Sequence, residues 1–371
     1  MDAHKIRKIS ILGIRGIPAK HGGFETFAEN LSLYLISKEW EVSVYCQEPG
    51  QMSVYETEWR GIKCIHISVK NTGPIGTIIF DLKSILHSLR YSGVFLTLGY
   101  NTAIFNLLYR LLGKRNVINM DGIEWKREKW GRVAKSWFWL NEHFGCWFAS
   151  HLVADHPQIK KHLSTRIPEN KISVIPYGAE LIIQADLEHI QNMGLQKKSY
   201  CLIISRPEPE NSLLEIVKAF SMKKRNKKLV VLGDLDPTNK RYHKEIIATA
   251  SDEVIFTGAI YEKKTIEALR FYTALYIHGH KVGGTNPSLV EALGAGSPVI
   301  AHDNIFNRWV VGDGGCYFKG EKDLSEQLDK LLDKPEEQLK LSKLSYVRYQ
   351  ATFTWPDVLG RYESLLESWL K

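Results

Sequence analysis

Short runs rich in Val and Ile alternate with amphipathic stretches along the whole chain, the pattern of βα units that assemble a parallel sheet. The first series predicts strands over 6–12 (IRKISIL), 41–46, 62–68, 94–98, 116–120, 151–154 and 172–175. Between the first two, Phe24, Phe27, Ala28, Leu31 and Leu35 recur at helical spacing and predict a helix within 23–38. The rhythm then stops. The stretch IPYGAELIIQADLEHIQNMGLQKK is polar and mixed and reads as a connection. A second series predicts strands at 200–204, 229–232, 254–257, 274–277 and 298–301, followed by a helical tail in which Pro356 suits a first turn. The expected fold is α/β: two Rossmann-like domains with parallel sheets, 1–178 and 179–371, facing each other across a cleft. The last helix, about 356–370, is free to pack back on the first domain. Ligands of such sheets bind outside the carboxyl ends of the strands, so chemistry is expected in the loops that follow them.

Composition narrows this picture. At 371 residues the chain exceeds one ordinary core, and 44% hydrophobic with 24% charged residues is average for a folded protein. No apolar run reaches the roughly 18 residues of a spanning helix, and MDAHKIRKIS lacks the apolar centre of a signal peptide. A cytosolic location is expected. Cys46, Cys64, Cys146, Cys201 and Cys316 lie far apart without CxxC spacing, so reduced thiols are expected rather than zinc ligands or disulfides. The net charge of +8 is uneven: residues 1–150 carry 19 Lys+Arg against 13 Asp+Glu, and residues 151–371 carry 30 against 28. A basic half suits an anionic small molecule, a membrane surface or nucleic acid, and charge alone does not choose.

Two glycine-rich loops carry the candidate chemistry. The first, GIRGIPAKHGG, contains Gly13, Gly16, Gly22 and Gly23 between the opening strand and its helix, with Arg15, His21, Phe24 and Glu25 beside them. Its spacing is not GxGxxG, which disfavours a nicotinamide cofactor. The second, GHKVGGTNPSLVEALGAGSPVIA, places Gly283, Gly284, Thr285 and Asn286 before Pro287 and Ser288 at a helix start. A helix amino terminus there would present amides and a dipole to an anion such as a diphosphate, and Glu291 one turn on could accept ribose hydroxyls. Arg206 at the end of the strand at 200–204, near Glu210 and Asn211, would fork onto phosphate oxygens. Asp234 and Asp236 form an Asp-x-Asp between Gly233 and Pro237, which reads as a turn, and no metal site is expected. The segment 124–148 carries Trp125, Trp130, Trp137, Trp139 and Trp147 among Lys126, Arg127, Lys129, Arg132 and Lys135. That mixture suits either a helix at a membrane surface or tryptophans buried in a core. The run KKRNKK at 223–228 reads as a solvated helix end.

These motifs resemble those of family-4 retaining glycosyltransferases, in the subgroup of bacterial rhamnosyltransferase-like enzymes. RGIPAKHGGFETFAENL, DGIEWKREKW, KISVIPYGAE, SRPEPEN and above all HGHKVGGTNPSLVEALGAGSPVIA are similar to that subgroup's motifs. The resemblance implies the two-domain GT-B fold, a first domain that binds the acceptor and a second that binds the nucleotide sugar. It further implies that Arg206 binds the donor diphosphate, that Thr285 and Asn286 meet it through the loop and helix start, and that Glu291 binds the ribose. Two positions depart from the family pattern. The first glutamate of its E-x7-E motif is Gly283, which leaves Glu291 alone, and its usual phosphate-binding lysine is Asn211.

On this footing the expected reaction is metal-independent, retaining transfer of a sugar to a lipid-diphosphate-linked saccharide in bacterial cell-surface polysaccharide biosynthesis. L-Rhamnose from dTDP-L-rhamnose is the expected donor, with a UDP-sugar as the alternative base and no other cofactor. Asp121 and Glu25 are the expected catalytic residues, and Gly16, Gly22, Gly23, Phe24, Glu124, Trp125, Lys126 and Arg127 the expected acceptor loops. The expected partners are the donor, the lipid-linked acceptor and the anionic inner face of the cell membrane, with no nucleic acid. Another NDP-hexose transferase of this fold, a nucleotide-sugar 2-epimerase or a non-enzymatic sugar-nucleotide sensor are the competing readings.

Overall fold

The computed structural model describes residues 6–20, 22–70 and 73–370, and it divides into two compact units. Unit 1 comprises the chain up to Lys126, Trp130–Pro176 and the tail from Trp355. Unit 2 comprises Arg127–Lys129 and Tyr177–Thr354.

Strands β1 (Lys8–Leu12), β2 (Glu41–Pro49), β3 (Tyr55–Trp59), β4 (Ile62–Val69), β5 (Val94–Leu98), β6 (Arg115–Asn119), β7 (His151–Ala154) and β8 (Ile172–Val174) build unit 1. They form one sheet in the order β3-β4-β2-β1-β5-β6-β7-β8, parallel except where β3 turns back on β4. Strand β3, YETEW, is polar and exposed over most of its length at the sheet edge, which is why hydrophobic patterning misses it. Helices α1 (Gly23–Ser37), α2 (Pro74–Ser88), α3 (Leu107–Leu111), α4 (Arg132–Phe148) and α5 (Pro157–Leu163) connect the strands. Helix α1 buries Phe27, Ala28, Leu31 and Leu35 at the predicted spacing, whereas Phe24 stays half-exposed at its start.

Unit 2 carries α6 (Glu188–Gln191), β9 (Tyr200–Ile204), α7 (Leu213–Ser221), β10 (Lys228–Leu232), α8 (Arg241–Ala248), β11 (Val254–Gly258), α9 (Lys263–Tyr272) and β12 (Leu275–His278). It continues through α10 (Pro287–Gly294), β13 (Val299–His302), α11 (Ile305–Val311), β14 (Gly315–Phe318), α12 (Glu321–Leu332) and α13 (Pro335–Thr352). Its sheet order is β11-β10-β9-β12-β13-β14, with every pairing parallel. Counted within the unit this is 3-2-1-4-5-6, the doubly wound Rossmann order, whose direction reverses between β9 and β12. Both sheet faces are covered, and the strand residues alternate accordingly: Tyr200 and Leu202 enter one core cluster, Cys201 and Ile203 the other. The stretch after Ile175, expected as mere connection, is partly core, since Ala179, Ile190 and Leu195 are buried with the first of those clusters.

The chain ends on α14 (Trp355–Ser368), which belongs to unit 1. There the Tyr362 ring packs tilted against Phe27 at 4.6 Å and its hydroxyl accepts a 2.8 Å hydrogen bond from Asn119 Nδ2, while Glu363 Oε2 accepts from Tyr34 at 2.8 Å. All five cysteines are unpaired. Among the described residues no helix is long and apolar enough to cross a membrane.

Candidate active site

In unit 2 the loops that follow β9 and β12 meet at the switch point of the sheet, and contacts that tolerate no Cβ hold them together. A Cβ on Gly279 would lie 2.2 Å from the carbonyl oxygen of Asn211, and one on Gly233 would lie 2.3 Å from that of Ser205. Glycine is required at both places by close approach rather than by turn geometry. Asn211 is buried, and its Nδ2 donates to the Arg206 carbonyl at 2.8 Å. It therefore works beneath the loop, shaping the segment that carries Arg206, instead of presenting its amide to a ligand. The Arg206 side chain is exposed, and among the described residues it meets no carboxylate. Lys281 anchors the second loop through its N–H to Glu210 O at 2.9 Å and its Nζ to Glu215 at 2.9 Å.

The amino terminus of α10 departs from expectation in a useful way. Asn286 is the N-cap, with its side chain accepting from Ser288 N at 3.0 Å, while Pro287 has no N–H and Leu289 N bonds to Asn286 O. The helix's own first amides are thus spent. Ser288 Oγ is spent as well, on Tyr276 Oη at 2.6 Å and Ile204 O at 3.3 Å. Among the described residues, nothing accepts from the N–H groups of Gly283, Gly284 and Asn286. These loop amides, with the dipole of α10 behind them, form a surface of donors whose chemistry suits an anion. Thr285 is buried beside them. Gly283 has φ +127 with open space around it, so the position lost from the E-x7-E pattern is one where the backbone itself disfavours a side chain.

Glu291 does not stand alone. Its Oε2 pairs with Arg270 Nη2, from a guanidinium on α9 that is itself buried. The pair fixes the carboxylate at the carboxyl-end rim of unit 2. Sequence reading missed Arg270 because α9 is far away in the chain. It also missed the histidines at and just beyond the end of β12, whose only signal was an H-x-H there. His278 and His280 stack at 4.4 Å, and His278 Nε2 and His280 Nδ1 are buried without a hydrogen-bond partner among the described residues. Burial first, then the charges of Arg206 and Arg127, press His280 down to about 3. Burial likewise holds His278 well below the ordinary imidazole range. Both rings are neutral at pH 7 and can give or take a hydrogen bond beside Arg206.

In unit 1 the neighbouring strands β1, β5 and β6 bring the other candidate loops to one edge. Gly13 (φ +85) and Gly16 (φ +134) let the first loop pass within contact of Leu98 and Cys46. Glu25, in the first turn of α1, accepts from Arg15 N at 3.3 Å. Phe24 lies against Gly99 after β5, 3.7 Å from where its Cβ would be, and Gly22 and Gly23 lead into α1. His21 lies outside the described residues. Asp121 adopts φ +51 and takes a 2.9 Å bond from its N–H to Asn119 Oδ1. An aspartate in the left-handed region is a local cost met by that bond. The segment beyond is pinned by its own side chains: Glu124 N donates to Tyr100 Oη at 2.8 Å, Trp130 Nε1 to Glu124 at 3.1 Å and Trp125 Nε1 to Glu142 at 3.1 Å. Lys126 lies over the Trp125 ring at 5.3 Å. Glu142 is buried, and it is balanced by Arg166 at 2.8 Å and His162 at 2.9 Å.

Several expectations change. Arg127 is not an acceptor-loop residue of unit 1. It clusters with unit 2, where its Nε donates to the buried Glu210 at 2.8 Å. Trp139 and Trp147 are exposed on α4, whose buried positions are Asn141, Glu142, Gly145 and Cys146, so the stretch is not a tryptophan core. Arg225 of the KKRNKK run is buried, donating to Ser325 Oγ at 2.7 Å. Asp234 and Asp236, by contrast, serve turns as their setting between Gly233 and Pro237 predicts: Asp234 accepts from Ala259 N at 2.8 Å and Asp236 from Asn239 N at 3.1 Å.

Two such doubly wound units make the GT-B fold, and solved structures carry the same likeness. Sucrose-phosphate synthase from Thermosynechococcus elongatus superposes with a TM-score of 0.79 at 16% identity, covering 98% of each chain. Anabaena HepE in complex with UDP and glucose does so with a TM-score of 0.77 at 15% identity, covering 98% of this chain and all of that one. In sequence, residues 6–180 match a domain of unknown function, DUF1972, and residues 187–348 match the family described as glycosyl transferases group 1. Alpha-monoglucosyldiacylglycerol synthase of Streptococcus pneumoniae is 32% identical over 167 residues, 41% of this chain and 37% of that protein's length.

Proposed function

We propose that the chain is a nucleotide-sugar-dependent hexosyltransferase, in which unit 2 holds the donor and unit 1 orients the acceptor. One observation carries the reading: in a glycosyl transferases group 1 domain, Arg206, the unpartnered amides of Gly283, Gly284 and Asn286, and a Glu291 fixed by Arg270 all stand at the carboxyl ends of strands flanking the switch point. The arginine and amides suit a diphosphate, and the fixed carboxylate suits ribose hydroxyls. As the bond from the sugar's anomeric carbon to the phosphate oxygen breaks, negative charge grows on the leaving diphosphate, where these groups stabilise it without a divalent ion. The acceptor oxygen forms the new bond, and its proton passes to the departing phosphate oxygen. Asp121, with Glu25 nearby in the same unit, orients that hydroxyl. Attack on the face the leaving group vacates retains the anomeric configuration.

The donor we favour is dTDP-L-rhamnose and the acceptor a lipid-diphosphate-linked sugar, on the motif resemblance. Membrane-side work is supported by the apolar residues exposed on α4 (Val133, Trp139, Leu140, Trp147) and at the end of α3 (Leu111 and the following Leu112), interspersed with Arg132, Lys135 and Arg110. The test is transfer of labelled sugar by the full chain to a lipid-diphosphate N-acetylglucosamine, with dTDP-rhamnose and UDP-glucose compared, each with EDTA and with magnesium. Transfer from dTDP-rhamnose that EDTA leaves intact is the expected result. A strict need for magnesium removes the metal-free account, and proton exchange at the sugar's second carbon without acceptor replaces it by an epimerase.

A further inference from the structure

A cavity of about 920 Å³ opens at the other edge of unit 2, beneath the amino ends of its strands and away from the loops described above. Its basic side comes from residues that directly precede strands: Lys197 and Lys198 before β9, and Lys227 before β10. Its apolar side comes from Ile183, from Tyr272 at the end of α9, and from Leu339 and Tyr346 on α13. The walls are held in place before any ligand arrives. Tyr346 Oη donates to Ile182 O at 2.6 Å and Tyr272 Oη to Ala185 O at 2.5 Å. Gly296 has φ +62, and a Cβ there would lie 2.2 Å from the Tyr346 ring, so glycine alone leaves room for it.

The lysines are unusual in their partners. Lys198 Nζ donates to Thr273 O at 2.8 Å, Lys227 Nζ donates to Lys198 O at 3.1 Å, and Lys197 Nζ lies 5.0 Å above the Tyr272 ring. Among the described residues none of the three meets a carboxylate, and no acidic residue lines the cavity. Three ammonium groups without a counter-charge attract an anion. Beside them Ile183 and Leu339 are 71% and 57% exposed, an apolar patch continuous with the basic one. The volume falls in the range of small-molecule sites.

We propose that this cavity binds a single anionic amphiphile, a phosphate monoester head among Lys197, Lys198 and Lys227 and a hydrocarbon body along Ile183, Leu339 and Tyr346. The inference stands apart from the donor assignment, because it uses none of the same residues.

The test is calorimetric titration of the full chain with dodecyl phosphate below its micellar concentration, beside inorganic phosphate (head alone) and dodecyl maltoside (chain with an uncharged head). The expected result is saturable one-to-one binding of dodecyl phosphate only. It should weaken about tenfold or more in the double variant Lys197→Glu/Lys227→Glu and in Leu339→Asp, a surface change that keeps the fold intact if the first does not. Absence of saturable binding overturns the proposal. So does equal binding of the maltoside, which would mean a greasy surface, or of inorganic phosphate, which would mean a plain anion site. Parent-like affinity in either variant overturns the location.

Discussion

Both units put an unusual backbone beyond the carboxyl end of a sheet strand, and the two turns present opposite chemistry. In unit 1 the positive φ falls on Asp121, so the turn after β6 displays a carboxylate, tied to Asn119 by its own amide. In unit 2 it falls on Gly283, so the loop after β12 displays bare N–H groups, flanked by Arg206 and the dipole of α10. One edge offers an acceptor of hydrogen bonds and protons, the other a set of donors and a positive charge. On the proposed reading, the same sheet architecture would yield an acid–base edge and an anion edge by the choice of one residue type at one positive-φ position. The neutral histidines reinforce the contrast, since the positive field of Arg206 and Arg127 that helps hold His280 to about 3 is the field a diphosphate would meet.

That contrast can be broken by experiment. Arg206→Ala should have the largest effect, lowering kcat/KM for the nucleotide sugar by about 10²–10³-fold and abolishing the rise in melting midpoint that a nucleoside diphosphate gives the parent. An unchanged midpoint shift would move the anion site elsewhere. Asp121→Asn should lower kcat by about 10²-fold while leaving the nucleotide-induced shift intact; loss of nucleotide binding in this variant would erase the division of labour between the units.

Acidification comes next. In unit 2, His278 and His280 stay neutral when folded but take protons in the unfolded chain below about 6.5, so unit 2 loses stability as the pH falls from 6.5 towards 3. In unit 1, burial raises Asp81 to about 7, so its folded form holds a proton that the unfolded chain releases above 3.8, and its penalty shrinks as the pH falls from 7 towards 3.8. His151, lowered to about 4 by burial, offsets that gain. Hydrogen exchange at pH 7 and pH 5 should show β9 and β12 losing on the order of 1–2 kcal/mol of protection relative to β1 and β5. A uniform loss would contradict it. The smallest effect is expected from Gly283→Glu, which restores the residue type of the related motif: about 1 kcal/mol of destabilisation, read from urea unfolding, and no gain in kcat. A gain would show that the loop can accept the glutamate after all.

Much of this was legible in the chain itself. Strands such as 94–98, 151–154 and 200–204 were read to the residue, because a strand covered on both faces must be apolar throughout and therefore announces itself. Strand β3 was invisible, since an edge strand is free to be polar. Arg206 and the Gly283–Asn286 loop stood out as candidates because glycine, proline and arginine at the end of a strand have few other uses.

What the sequence alone determined is local: where most strands and helices lie, and which glycine-rich loops follow strands as candidates for an anion. Only the tertiary structure decided which side chains remain available there. Asn286 and Ser288 turned inward as cap and buried hydroxyl, Asn211 became a support for the Arg206 loop, and Arg270 arrived from a distant helix to hold Glu291. The physical reason is that a hydrogen bond or ion pair depends on distance in space. Arg270 and Glu291, 21 positions apart, become partners only when packing brings their helices together.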